Sequence, residues 1–382
     1  MDLRYSSIQP ENLKPNGYSE YDVVDFKISA MDRKITGGSI RLVGDVVVSN
    51  NGVIANQVAY DGFTGAHSFI ETISTSFDKV GQVESLRFYS KYVSAKAKAT
   101  MAKEDLFNSH NVCECRVPDG RFSSAMLKGT APVNIASVVD TTSVVSADTK
   151  PMDFSIKLDF CLNNMIGDNM LPYNKSGDIL ISLTLIRSIE ALYGIFGGAG
   201  VGGNVKYTLN NLRLVYTSVM DDGKYSPRYT ARVRSDLKQS LQSSFANIST
   251  KAPIIADSFF MSFIKSSDEA NAIHNGLENQ RLPEVKYVEF LWNDSLSQQY
   301  RYQMDNEQQI VSNYISAINK GGSLTSNAHP NVLASNDSWG VGLAFGTFLD
   351  LSKVKLGVNI SSGVINTEPY SAYMFFSGIR EF

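Results

Sequence analysis

Asp178-Ile-Leu-Ile-Ser-Leu-Thr-Leu-Ile186 and, beyond a glycine-rich loop, Asn204-Val-Lys-Tyr-Thr-Leu-Asn-Asn-Leu-Arg-Leu-Val-Tyr216 decide how this chain is read. The first run alternates, as a strand with one buried face does. In the second, Val205, Tyr207 and Leu209 share one parity while Leu212, Leu214 and Tyr216 take the other, so a β-bulge at Asn210-Asn211 is expected to restore a single buried face. The same kind of ending returns at the C-terminus. There Gly346-Thr-Phe-Leu-Asp-Leu-Ser-Lys-Val-Lys-Leu-Gly-Val-Asn-Ile360 leads through Ser361-Ser-Gly363 and Glu368-Pro369 into Tyr370-Ser-Ala-Tyr-Met-Phe-Phe376. Two strand pairs closing two halves of similar length predict two β-sandwiches in tandem.

Composition agrees with that layout. A chain of 382 residues suits two domains of roughly 100 to 200 residues, each able to bury a core. Charged residues are only 19%, with Ser, Thr, Asn and Gln plentiful, a balance of β-rich proteins with polar loops rather than helical enzymes. The net charge of −3 predicts no sequence-wide attraction to nucleic acid. Cys113, Cys115 and Cys161 lack zinc-site spacing, and one intervening residue is poor geometry for a Cys113–Cys115 bridge, so free thiols and assembly in a reducing compartment are expected. No apolar stretch has signal-peptide or membrane-spanning length. The Asn-x-Ser sequons at Asn247, Asn293, Asn336 and Asn359 then read as chance matches.

Along the chain, residues 1–25 carry Pro10, Pro15 and Gly17 without periodicity and predict an extended arm ordered by a partner. Its Arg4 and Lys14 stand against Asp2, Glu11, Glu20, Asp22 and Asp25, unlike a genome-binding arm. Strands are expected through Ile40, Leu42, Val46 and Val48, over His67–Phe77, and where Phe154, Ile156, Leu158 and Phe160 alternate with polar residues. Leu86, Tyr89 and Val93, followed by Ala95, Ala97 and Ala99, predict a helix across the end of the first sandwich. Val233, Leu237, Leu241, Phe245 and Ile248 recur at four and three and predict an amphipathic helix connecting the halves. Strands over 257–264 and 283–292 open the second half. A helix from Asn306 to Lys320 follows, with an Asn306/Gln309 capping box, an apolar face of Ile310, Tyr314, Ile315 and Ile318, and a Gly321-Gly322 stop. The expected division is an arm over 1–25, a first sandwich over 26–220, a linker helix over 221–250 and a second sandwich over 251–382.

No constellation of catalytic, cofactor-binding or metal-binding residues emerges. Gly198-Ala-Gly-Val-Gly-Gly203 matches a dinucleotide fingerprint in form, but a strand follows where the phosphate-binding helix should begin, so the motif reads as a loop. His67, His110, His274 and His329 have no partner at metal-ligand spacing and read as surface or structural residues. Asp221-Asp222 reads as a solvated turn rather than an acid–base pair. Trp292 and Trp339 could form a sugar-stacking platform, which would make the chain a tandem β-sandwich carbohydrate-binding protein or glycoside hydrolase. A viral spike or adhesin would share the fold class with a longer shape.

The order of elements resembles a family. Gly65-Ala-His-Ser-Phe-Ile-Glu-Thr-Ile with Gly81-Gln-Val-Glu and Tyr92, then Leu171-Pro172, the 178–186 strand and Tyr207–Tyr216, are similar to one jelly roll of the double-jelly-roll major capsid proteins, the lineage of adenovirus hexon and the tailless icosahedral phages. Leu282-Pro-Glu-Val, Trp292-Asn-Asp294, Asp350-Leu-Ser352 and Pro369–Phe376 are similar to the second roll. The resemblance runs from about Phe26 to the C-terminus. It implies an all-β fold of two tandem jelly rolls with a few inserted helices, and a non-enzymatic shell protein of the virion, assembled in the host cytoplasm or nucleus. The partners it implies are two further copies in a homotrimer, neighbouring capsomers, penton and minor capsid proteins, and an internal membrane as one option. It implies neither a cofactor nor sequence-specific nucleic acid binding. The chain is short for the large towers of hexons, so a lightly decorated block is expected.

Overall fold

Ile179, Ile181, Leu183 and Leu185 are buried and Leu180 is exposed, so the alternation that opened the reading is a one-faced strand in the structure. The structure is a computed structural model and describes residues 2–50, 58–100, 113–116, 152–194, 205–243, 245–271, 275–277, 280–282, 284–293, 301–320, 339–363 and 368–382.

The first half contributes β1 (Leu3–Ile8), β2 (Val23–Ile28), β3 (Arg33–Thr36), β4 (Arg41–Asn50), β5 (Val58–Ala59), β6 (Ile70–Phe77), β7 (Gly81–Leu86), β8 (Met152–Lys157), β9 (Met165–Ile166), β10 (Met170–Pro172), β11 (Ile179–Leu185), β12 (Tyr193–Gly194) and β13 (Val205–Met220). The second contributes β14 (Thr230–Leu241), β15 (Phe245–Thr250), β16 (Ile255–Lys265), β17 (Val285–Trp292), β18 (Arg301–Met304), β19 (Val341–Asp350), β20 (Leu356–Ser362) and β21 (Tyr370–Glu381).

The pairing repeats between halves. In the second, β14-β21-β16-β19 form one sheet and β15-β20-β17-β18 the other, so the chain-order sequence is first-eighth-third-sixth facing second-seventh-fourth-fifth. If β1, β2, β4, β6, β7, β8, β11 and β13 are ranked the same way, the first half gives β1-β13-β4-β8 facing β2-β11-β6-β7, the same two orders, with β3 and β10 as additions. This is the jelly-roll arrangement, present twice. All of the described pairings are antiparallel, and the inward parities of the facing sheets supply the apolar core of each roll.

The bulge falls where parity required it. The β13–β4 register shifts between Asn210 and Arg213, Asn211 has φ +53°, and Asp45 accepts hydrogen bonds from the side-chain amides of both asparagines at 3.3 and 2.6 Å. Asn tolerates that left-handed conformation better than most residues. Tyr207, Leu209, Leu212 and Leu214 consequently all face the core. Across the bulge runs Gly17 (φ +75°), so close that a Cβ would lie 2.2 Å from Asn210 Oδ1.

Several expectations require correction. The predicted linker helix over 221–250 is absent: the segment is β14 and β15. Val233, Leu237 and Leu241 are four apart, a spacing that keeps one face in a strand as well as in a helix. The arm over 1–25 is also built into the fold. β1 occupies the place in the first roll that β14 holds in the second, Tyr18 is 2% exposed and bridges Leu209, and β2 starts at Val23. The strands ending each half do not pair with one another, because β11 and β13, like β20 and β21, lie in opposite sheets. The 346–360 run breaks into β19 and β20 around a turn, and the His67 strand begins only at Ile70, after the helical turn Gly65–Phe69.

The helix Tyr89–Thr100 lies between the rolls rather than across the end of one, and all twelve of its residues are buried. Asn306 caps the helix Glu307–Lys320 through Oδ1, which accepts from the Gln308 and Gln309 amides at 2.9 and 3.4 Å. The reciprocal half of the capping box is missing, since the Gln309 side chain donates to Tyr302 Oη instead. The Gly198–Gly203 loop and the Gly321-Gly322 stop lie outside the described residues.

Candidate functional site at the junction of the two rolls

β14 has two different faces. Its odd positions, among them Ala231, Val233 and Leu241, point into the second roll, and its even positions Arg232, Arg234 and Asp236 point the other way. A face of charges on a strand ordinarily meets water. Here Arg234 and Asp236 are 2% and 3% exposed because the first roll covers them.

Arg234 is the centre of the contact. Its Nη2 donates to Asp159 Oδ1 at 2.9 Å and its Nε to Tyr92 Oη at 3.0 Å, while its backbone N–H donates to Glu84 Oε1 at 2.8 Å. Asp159 also accepts from Lys96 Nζ at 2.7 Å and Asn164 Nδ2 at 2.8 Å, and Glu84 accepts from the Cys161 amide at 2.6 Å. Thus β7, the helix Tyr89–Thr100 and the segment after β8 converge on one guanidinium from the other roll. Burial pushes the Glu84 carboxyl up to about 7, against the pull of Arg234 and the two backbone amides. Burial likewise brings Lys96 down to about 8, with Asp159 opposing. Burial alone would raise Asp159, but Arg234 and Lys96 override it and hold the carboxyl well below the usual range.

A second anchor sits two residues along β14. Asp236 Oδ2 accepts from the backbone N–H groups of Arg87 and Phe88, both at 2.7 Å, just ahead of the helix Tyr89–Thr100. A carboxylate at that end satisfies amides the helix cannot and complements its dipole. Around these polar contacts Phe88 packs edge-on to Tyr373 with centroids 5.0 Å apart, and Tyr92 lies 5.4 Å from Phe375 and 5.9 Å from Phe260. Arg380 Nη1 donates to the carbonyls of Gln82 and Val83 at 2.7 and 3.0 Å, Asn275 Nδ2 donates to Asp61 at 2.7 Å, and Lys98 Nζ donates to the Leu277 carbonyl. The two-residue β9 pairs with the start of β14, so the first roll even extends the second roll's sheet.

The residues weighed for chemistry fall elsewhere. His67 is 1% exposed, with Nδ1 2.9 Å from Tyr89 Oη and Nε2 3.6 Å from Glu114, and burial lowers its pKa, so it is a structural residue. His110, His274 and His329 lie outside the described residues. Asp221 and Asp222 form the turn before β14, where both reach Lys34, at 3.8 and 2.5 Å. Trp339 is 5% exposed beneath the Arg281 guanidinium, and Trp292 packs edge-on to Phe345 at 5.1 Å, so no stacking platform forms. Cys113 is exposed, and Cys115 and Cys161 are buried. Asn359 is 8% exposed and donates to Glu289, Asn247 and Asn293 are exposed, and Asn336 is outside the described residues. Among the described residues no three His, Cys, Asp or Glu side chains are placed to hold a metal ion, and no helix is long and apolar enough to cross a membrane.

The sequence reading missed the junction altogether. The only available signal was the strict alternation of charge on Arg232, Arg234, Asp236 and Lys238, which an amphipathic helix reading absorbed.

The sequence matches no family model and no curated protein. Solved structures do match, along the whole chain. PBCV-1 VP54, fitted into a cryo-EM reconstruction of the virophage Sputnik, superposes with a TM-score of 0.58 at 10% identity, covering 100% of this chain and 95% of that one. The Faustovirus major capsid protein gives 0.55 at 8% identity over 100% and 90%, and the mavirus major capsid protein 0.51 at 10% over 99% and 90%. At such identities the likeness establishes the fold, which is the double jelly roll the sequence resemblance implied.

Proposed function

We propose that the chain is the major shell-building protein of an icosahedral virus capsid, that its role is geometric rather than catalytic, and that three copies join into a pseudo-hexagonal block. On this reading residues 2–220 form one roll and 230–382 the other, and the virion is where the protein resides. The observation that carries the proposal is the doubled strand order, fused by a buried, charge-paired junction, in a chain that superposes end to end on capsid proteins. A fixed angle between two similar rolls is what a tile with six quasi-equivalent corners requires of a three-copy block. A carbohydrate-binding reading finds less support, because Trp339 is buried and Trp292 is packed against Phe345.

Contacts to neighbouring blocks, pentons, minor capsid proteins and a membrane belong to the same proposal. The test is the mass of the purified protein by light scattering at micromolar concentration. Three copies of the 42.0 kDa chain give 126 kDa, and a 42.0 kDa species would overturn the reading.

A further inference from the structure

A further polar seat joins the rolls at Asp61, between β5 and β6. This carboxylate is 3% exposed and accepts from the Thr64 amide at 2.9 Å, from Ser94 Oγ at 3.4 Å and, across the junction, from Asn275 Nδ2 at 2.7 Å. Lys98 Nζ lies 3.9 Å from it while donating to the Leu277 carbonyl. Burial raises the Asp61 carboxyl, but Lys98 and the hydrogen bonds from Thr64 and Asn275 outweigh burial and hold it below its ordinary value, so it is charged at neutral pH. The segment between β16 and β17 is thus pinned to the first roll by a side-chain amide that faces a buried charge.

That asparagine is followed by glycine, a pair that occurs at Asn16-Gly17, Asn51-Gly52 and Asn275-Gly276. With no side chain in the way, the glycine nitrogen can reach the asparagine Cγ, which is why such pairs are chemically labile. The fold treats two of them differently, and Asn51-Gly52 lies outside the described residues. The Gly17 N–H donates to the Lys14 carbonyl at 3.1 Å, so the attacking nitrogen is occupied. The Gly276 N–H donates to no group among the described residues. Asn275 Oδ1 accepts from the Leu277 N–H at 3.0 Å, a donor that stabilises the negative charge Oδ1 gains when Cγ is attacked. Asn275 and Gly276 are only half-buried, so water reaches them. Packing keeps the glycine in place, because a Cβ on Gly276 would lie 2.4 Å from the Asp268 carbonyl oxygen.

We propose that Asn275-Gly276 is a self-modifying site, which deamidates without an enzyme and thereby loosens the junction between the rolls. The Gly276 nitrogen gives its proton to hydroxide and attacks Asn275 Cγ. The Cγ–Nδ2 bond breaks, Nδ2 leaves as ammonia after taking a proton from water, and a cyclic imide remains. A water molecule opens the imide at either carbonyl, leaving aspartate or isoaspartate. In sum, one amide and one water become one carboxylate and one ammonium ion. At Asp61 a donor is replaced by a second acceptor, and two carboxylates then share Lys98, the cation that the described residues place there. Like charges at a site this enclosed repel with little screening. Isoaspartate adds a backbone methylene that moves the Leu277 carbonyl away from Lys98 as well. The chain therefore carries a slow covalent clock whose product is read at the contact between its halves.

The test begins with the wild-type chain, incubated folded in mildly alkaline buffer and mapped by peptide mass spectrometry. The peptide holding Asn275 should gain about 1 Da, part of it as isoaspartate, several times faster than the peptide holding Asn16. In urea-unfolded chain the two should convert at similar rates. Equal rates in the folded protein, or a faster Asn16, would overturn the site, and a difference that persists in urea would overturn the role of the fold. The effect on the junction is read from Asn275→Ala, which removes the donor alone, and Asn275→Asp, which also adds the charge. Urea unfolding followed by tryptophan fluorescence and circular dichroism should show a lower midpoint and separated transitions in Asn275→Asp, beyond the change in Asn275→Ala. An Asn275→Asp chain as stable as Asn275→Ala would overturn the link between deamidation and the junction.

Discussion

Replacing Arg234 with Met should uncouple the two rolls. Arg234 is fully enclosed, so solvent does not screen what it does. Its removal leaves Asp159 with only Lys96 and Asn164, and Glu84 with backbone amides. Breaking a buried pair from one side costs about 3–5 kcal/mol. Glu84 titrates at about 7 and can shed its charge by taking a proton, so the lower end applies. About 3 kcal/mol is roughly two orders of magnitude in the docking equilibrium. The assay uses the two Trp residues, Trp292 and Trp339, which both belong to the second roll. Their fluorescence during urea unfolding follows that roll, and far-ultraviolet circular dichroism follows both. In the wild type the two signals should change together, and in Arg234→Met they should separate. Adding Asp159→Leu, Lys96→Met and Glu84→Leu should bring them back together, because apolar replacement of a whole buried charge set is often neutral. Coincident transitions in Arg234→Met, with a loss under about 1 kcal/mol, would refute the claim that this cluster couples the rolls.

Other consequences can be measured directly. The Glu84 carboxyl is raised from 4.5 to about 7, so the stability it contributes is full below pH 4.5 and is lost as pH rises through 7. The wild type should therefore lose thermal midpoint relative to Glu84→Gln between those values, below the window in which Lys96 gives the opposite trend, about pH 8 to 10.5, and parallel pH profiles would contradict it. Deleting Asp2–Gln9 removes β1 and bares the edge of β13, so the midpoint of the first roll should fall by several degrees; an unchanged midpoint would return the segment to the status of a dispensable arm. Gly17→Ala meets both a positive φ and the Asn210 side chain, and should cost about 1–3 kcal/mol by chemical denaturation. Thiol titration should find Cys113 reactive in the folded protein. Cys115, whose thiol burial pushes up to about 12, and Cys161 should react only on unfolding, and fast labelling of either would contradict their burial.

How much of this was legible depended on whether a residue's surroundings were local. The bulge at Asn210-Asn211 could be read because parity is counted along a single strand, and Asn is a residue that accepts the required φ. Asn306 could be read as a cap because its targets lie two and three residues on. The role of β1 could not: Leu3, Arg4 and Tyr5 are all exposed and none of its residues is buried, and only its register against β13, more than two hundred residues away, makes it a strand. β14 failed for a different reason. Spacing of four cannot separate a strand from a helix, so the polar positions had to decide, and Arg232, Arg234, Asp236 and Lys238 argued for a solvated face. Their solvent is the other roll. A charged row that is buried by a second domain is indistinguishable, residue by residue, from one that meets water, and what differs is that each charge finds a counter-charge placed for it. Glu84, Asp159 and Lys96 lie between 75 and 150 residues from Arg234 in the chain or reach it through such a residue, so no window of sequence contains the pairing. The part of the molecule that fixes the angle between the rolls was therefore the part that sequence pattern alone was bound to miss.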